Sequence, residues 1–273
     1  MSKYLIISFV SAIALTGCAA TVISKEVKNT DLSQLTIYTG EVGIMDAIPR
    51  GSDISGTKKI FFTGYTKPAD AIMGAVLASI ATGSTSTGIQ LSGQLNAKRI
   101  SSSESASAID FLQKAANSSL GYAPELIDER ALNGISLSPA IRLQERADGL
   151  ISQSCYVSFS SYASGSRRWT IVISNGGKDF LTNETLKNMG GDTFKNASIN
   201  CFKPIVSVFI DYAKGDFDGK FRDGKVRGAD GQEYSGVYAK SATQKILLQV
   251  FTTSSPRSFH IYDLNEVQYS EDK

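Results

Sequence analysis

The chain has 273 residues, 42% hydrophobic and 20% charged, with a net charge of +2. This composition excludes a disordered or collagen-like chain and suffices for one large domain or two modest ones, each with a core. So even a charge balance supplies no field for nucleic acid, and one histidine with three cysteines leaves too few ligands for a multi-imidazole or multi-thiolate metal site. No nucleic-acid partner, metal or cofactor is expected.

In chain order, residues 1–17 have the parts of an export signal. Lys3 is the only charged side chain before Cys18, an apolar run fills residues 4–15, and small residues follow. A helix of that length falls short of the ~20 residues that span a bilayer. Leu15-Thr16-Gly17-Cys18 sets a hydrophobic residue, two small residues and a cysteine in series. The tetrapeptide resembles the lipobox of bacterial lipoproteins. The resemblance implies cleavage before Cys18, a diacylglycerol on its sulfur and a further acyl chain on the freed amine. Each buried methylene adds ~0.8 kcal/mol, so two or more chains anchor a protein stably. Cleavage after Ala20, which would release a soluble protein, is the competing reading. Ala19 rather than Asp follows the cysteine. By analogy with the enteric sorting rule, this implies anchoring in the outer membrane, facing the periplasm, rather than in the inner membrane. Residues 18–34 read as a polar tether and residues 35–273 as the folded body.

Within the body, residues 35–39 alternate apolar and polar and predict a strand, as do the aromatic-rich residues 59–66. Residues 71–97 carry no charge. Their first part predicts a helix over 68–81, with Pro68 at its first position and Asp70 in its first turn. Ile72, Met73, Val76, Leu77 and Ile80 supply its bulk, and Ala71, Ala75 and Ala78 its small face. Such a helix either packs on a sheet or meets a membrane or an oligomer partner.

Ser101 to Glu104 offers a capping box, and Ile109, Leu112, Ala116 and Leu120 then form one stripe, with Gly121 as the stop. Residues 124–134 and 138–149 each begin near a proline and end on a glycine, and both read as short helices. From residue 150 the pattern turns to strands. Cys155, Val157 and Phe159 alternate with serines; then, after a turn, Trp169, Ile171 and Ile173 alternate with polar residues, predicting a hairpin. A short helix is expected over 183–189, and strands over 205–212, 245–252 and 258–264. The order of elements predicts an α+β fold, with helices clustered on one face of a mostly antiparallel sheet. A sub-boundary falls near residues 149–150, between a helix-rich and a β-rich part.

Cys155 and Cys201 remain after Cys18. An even pair in an exported chain suggests a disulfide, closing a loop of ~45 residues worth roughly 4 kcal/mol in loop-closure entropy. The alternative is two separately buried thiols. His260 lies between Phe259 and Ile261 and reads as a half-exposed strand residue rather than a catalytic base.

Enzyme motifs mostly fail. Ser55-Gly56-Thr57-Lys58 fits S-x-x-K, the core motif of penicillin-recognising serine enzymes, without that family's S-D-N or K-T-G partners. Asp128 and Glu129 read as solvated charges. Phe217-Asp-Gly219-Lys-Phe221-Arg-Asp-Gly224, then Gly228, with a second start at Tyr234-Ser-Gly236-Val-Tyr238, resembles the membrane occupation and recognition nexus repeat. That resemblance implies a binding surface rather than catalysis. The same residues also read as plain turns joining short strands.

The sequence therefore predicts a lipid-anchored envelope protein that binds or scaffolds a protein partner at the periplasmic face of the outer membrane. The alternatives are a membrane-inserting or oligomer-forming role for residues 71–97, or a hydrolase acting on wall or lipid.

Overall fold

The computed structural model describes residues 27, 31–39, 59–63, 98–99, 108–129, 133–145, 150–177, 181–182, 185, 191–227, 233–251 and 257–271. Twelve strands are described: β1 (Leu35–Tyr38), β2 (Lys59–Thr63), β3 (Lys98–Arg99), β4 (Glu125–Ile127), β5 (Gly134–Glu145), β6 (Ile151–Ala163), β7 (Ser166–Gly176), β8 (Arg222–Arg227), β9 (Glu233–Lys240), β10 (Ile246–Phe251), β11 (Arg257–Asp263) and β12 (Gln268–Glu271). Two long helices join them, α1 (Ala108–Leu120) and α2 (Asp192–Lys214). Ten strands run in the order β12-β8-β9-β10-β11-β7-β6-β5-β1-β4, and β2 pairs with β5 and β3 to the side. Most pairs are antiparallel; β1 is parallel to β4 and β5, β7 to β11, and β2 to β3. The α+β class expected from the sequence is met.

The central strands follow from alternation. Ile135, Leu137, Ile141 and Leu143 on β5 are fully buried, and so are Cys155, Val157 and Phe159 on β6. The β6–β7 hairpin closes on Ser164 and Gly165, at φ 51° and 76°. Two successive positive φ values make the tight turn that matches strand twist.

Two expected helices are strands. Residues 125–127 form β4, and residues 134–145 form β5. Ser138 and Pro139 look like a helix start, yet the period-two pattern around them wins because both neighbours of β5 reward it. Pro139 falls where the partner of β5 changes: the β1 register ends at Leu137 and the β2 register begins at Ile141. A missing N–H costs no ladder bond at such a gap.

The expected strand over 205–212 is instead the second half of α2. Its buried residues Phe194, Ala197, Ser198, Cys201, Ile205, Val208, Phe209 and Tyr212 keep helical spacing across Pro204. Gly215 (φ 83°) ends the helix. Its N–H donates to Tyr212 at 3.0 Å, and that of Asp216 to Asp211 at 2.9 Å, which is the Schellman arrangement. The expected helix after residue 101 appears as α1, which buries Phe111, Leu112, Ala115 and Ala116 and stops at Gly121. Residues 64–97 and 101–107, including the expected helix over 68–81 and the capping box, lie outside the described residues. So do residues 183–189, apart from Thr185.

The helices join the sheet through aromatic rings. Phe209 of α2 stacks on Phe159 of β6, with centroids 3.8 Å apart and planes 9° apart. Phe111 of α1 meets Phe194 of α2 edge-on at 5.9 Å. Farther along the sheet, Val226, Tyr238 and Leu247 form a second cluster with Tyr262 and Tyr269. Their chain neighbours Ala239 and Leu248 belong to the main core, so β9 and β10 are buried on both faces there.

Asp211 sits near the C-terminal end of α2. Partial burial, then the neighbouring Asp216 carboxylate, push its carboxyl above the usual range, while Lys214 pulls it back. A native carboxyl that binds its proton more tightly than the unfolded one loses stability as pH rises through its window. Asp211→Asn is therefore expected to raise Tm by a few degrees at pH 7, with the gain vanishing once the pH falls below the carboxylate range. Paired thermal melts at both pH values check this; a gain that persists at low pH contradicts it.

Gly224 lies within β8, not at a turn. A Cβ there would stand 2.5 Å from Cε2 of Tyr269, whose ring covers the glycine. Overpacking of this kind costs about 1–3 kcal/mol. Gly224→Ala should lower stability by that amount in urea unfolding, and Tyr269→Ala should restore much of the loss. Additive losses in the double variant would refute the contact.

Candidate functional site

The two body cysteines come from unlike elements. Cys155 is on β6, and Cys201 lies in the buried stripe of α2 rather than in the expected strand. They stand at disulfide distance, with Cα atoms 5.9 Å apart and a sequence separation of 46. Both are buried, at 0% and 2% exposure, which shields the pair from solvent thiols.

Two amide side chains flank this link. Asn175 on β7 is the register partner of Cys155. Its Nδ2 donates to the carbonyl oxygen of Cys201 at 3.0 Å. Pro204 lies three residues on, inside the same helix. Its missing N–H is the one that would reach the carbonyl of Asn200, so the Asn175 bond to Cys201 is an added tie between α2 and β7 rather than a replacement for it. On β6, Nε2 of Gln153 donates to the hydroxyl of Ser198 on α2 at 2.8 Å, with both residues buried. Among the described residues the buried Gln153 Oε1 oxygen meets no hydrogen-bond partner. Gly177 donates its N–H to the Gln153 carbonyl at 2.7 Å. A Cβ at residue 177 would approach that of Gln153 to 3.2 Å.

His260 on β11 is half-buried, as expected for a strand residue. Its Nδ1 lies 2.9 Å from Oγ of Ser174 on β7. That hydroxyl also meets the carbonyl of Phe259 at 3.0 Å, so it bridges the imidazole and the backbone of β11. A serine held this way, at 2% exposure, is oriented toward the backbone and not toward an incoming carbonyl. The arrangement ties β7 to β11 through side chains. A cleft of 220 Å³ opens beside it, lined among others by Asn175, Gly177, Pro204, His260, Asp263 and Glu266. It stands at the C-terminal ends of the parallel neighbours β7 and β11.

The other sequence candidates are scattered. Cys18, Ile72, Met73, Val76, Leu77, Ile80, Ser55 and Lys58 lie outside the described residues. Asp128 and Glu129 are exposed in the bend after β4, not on a helix face. Phe217 and Gly219 occupy turns after α2, with β8 beginning at Arg222; Tyr234, Gly236 and Tyr238 lie on β9. Among the described residues no helix is long and apolar enough to cross a membrane, and no three His, Cys, Asp or Glu side chains gather as metal ligands. Sequence reasoning missed Gln153, Asn175 and Ser198. A glutamine and an asparagine at inward strand positions were the available signal. No protein-family model, curated protein or solved structure matches this chain.

A bond between Cys155 and Cys201 predicts a specific labelling pattern. In denaturant without reductant neither should alkylate; with reductant both should. Removing the bond should cost roughly 4 kcal/mol by loop-closure entropy, read from urea unfolding of the Cys155→Ser/Cys201→Ser protein. Free labelling of both cysteines without reductant would rule the bond out.

Proposed function

We propose that the protein is a lipid-anchored envelope component, tethered through Cys18 and acting as a binding or scaffolding element at the periplasmic face of the outer membrane. The observation that carries this reading is the meeting of Cys155 and Cys201 at disulfide distance from separate elements. Disulfides persist in oxidising compartments and are rare in the cytosol, so the pair fits the export implied by Leu15-Thr16-Gly17-Cys18. The body fits a presenting role. In this reading the helices lie on one face of the sheet, as the sequence led us to expect, and the strands beyond β11 carry the second aromatic cluster. Its partner is a protein of the same envelope layer, with the bilayer reached through the N-terminal lipid.

A second reading rests on the uncharged residues 71–97, which would insert into lipid or join copies of the chain. Protection of that segment from proteolysis only when lipid is present would favour it. Protection in the absence of lipid would favour packing against the body instead.

Intact mass of the native protein tests the anchor. The mature chain is expected to start at Cys18 and carry the mass of a diacylglycerol plus an acyl chain. Cys18→Ser should leave the signal uncleaved at that position, so that the chain keeps the mass of residues 1–17 and lacks that of the acyl groups. A native chain with a bare thiol at Cys18 would end the proposal.

A further inference from the structure

Away from the cysteine pair, a cleft of 350 Å³ opens where β8, β9 and β12 meet the turn after α2 and the β9–β10 loop. Lys220, Arg222 and Lys240 line it, with Gln244, Tyr269 and Glu271. This concentration of cations is notable in a chain whose net charge is only +2. One carboxylate answers three cations, and its partner is identifiable: Nζ of Lys240 lies 3.5 Å from Glu271. The same ammonium sits 4.7 Å above the Tyr269 ring. Lys240 is thus occupied twice.

Lys220 and Arg222 are not. Among the described residues neither has a carboxylate within ion-pair distance. Arg222 donates Nη1 to the carbonyl of Phe221 at 2.8 Å, which leaves most of its five donors unspent. Gly219, at φ 65°, turns the chain so that Lys220 follows directly at the cleft. The remaining wall is fixed and neutral. Tyr269 packs over Gly224 and edge-on to Tyr238 at 5.7 Å. Tyr238 donates its hydroxyl to Tyr234 at 2.8 Å; burial, then the neighbouring Tyr269, push its phenol up to about 12, so it adds no negative charge.

We infer that this cleft binds a phosphomonoester, with Lys220 and Arg222 as its principal ligands and Lys240, held by Glu271 and Tyr269, at its border. The charge decides the class. Two uncompensated cations match the ~1.5–2 negative charges of a phosphomonoester near pH 7, whereas a carboxylate brings one. A guanidinium fork beside an ammonium is a recurring phosphate pairing, geometric on one side and a point charge on the other. The volume lies at the lower end of small-molecule sites, ~300–1,000 Å³, which suits a headgroup or a small phosphorylated compound. The inference does not depend on the anchor.

Calorimetric titration of the full chain in neutral detergent tests it, with inorganic phosphate as one probe and micelles doped with phosphatidate as the other. Undoped micelles give the baseline. Saturable binding of phosphate is expected, weakening as salt rises. Lys220→Ala/Arg222→Ala should weaken it at least tenfold, Glu271→Gln should strengthen it several-fold, and Lys203→Ala on α2 should change nothing. If the double variant fails to fold, Arg222→Gln and Glu271→Gln make the same decision with opposite signs. Response to phosphate alone identifies a soluble phosphomonoester as the source. Response to doped micelles that Arg222→Gln abolishes identifies a lipid headgroup. No saturable binding of either probe, or binding indifferent to Lys220, Arg222 and Glu271, overturns the inference.

Discussion

The attachment of α2 to β6 and β7 is the constraint on which the rest of the structure depends. An α+β body buries its core only if its helices stay on the strands, and here the contact is made four ways within one stretch. Phe209 stacks on Phe159, Cys201 meets Cys155, Ser198 accepts from Gln153 and Asn175 satisfies the Cys201 carbonyl. The magnitudes rank them. A bond between the cysteines would be worth roughly 4 kcal/mol and a buried aromatic truncation costs about 3–5 kcal/mol. A single neutral hydrogen bond gives about 1 kcal/mol. Against a net folding stability of about 5–15 kcal/mol, the first two decide whether the layer holds. The amides set where along the helix it docks.

Two prolines sit inside regular elements. Pro204 lies within α2, yet the helix keeps its buried stripe on both sides of it. The missing N–H is the one that would reach the carbonyl of Asn200, an exposed residue, while the next carbonyl, that of Cys201, accepts from Asn175 of β7. Pro139 sits in β5 where one partner strand ends and the next begins. No local sequence rule foresees that either proline is accommodated.

This explains what the sequence revealed and what it hid. Helix α1 was legible because periodicity and stop signal agree: Leu112 and Ala116 fall on the buried stripe, and Gly121 ends it. The β6–β7 hairpin was legible because its apolar positions alternate and its turn is Ser164-Gly165. Helix α2 was hidden by its own composition. The run Ile205-Val206-Ser207-Val208-Phe209-Ile210 is rich in β-branched and aromatic residues, and Pro204 looks like a breaker; burial against Phe159 outweighs both. β5 was hidden by proline and glycine punctuation, although Ile135, Leu137, Ile141 and Leu143 carried the alternation throughout. The cysteine pairing could be suggested from export alone. The amides beside it left a fainter trace: Gln153 and Asn175 fall on the inward positions of their strands, and only the fold brings them to α2. For the same reason the Lys220–Arg222–Lys240 cleft has no linear signature, since it is assembled from a turn and two strands.

Native-state hydrogen exchange tests the clamp most directly. If α2 is fixed to the central strands as described, the amides of residues 198–209 and those of β5, β6 and β7 should exchange together, at the slowest rate in the molecule, and should loosen together in the Cys155→Ser/Cys201→Ser protein. If α2 exchanges far faster than the strands under oxidising conditions, the helix opens independently and the account of the core is wrong.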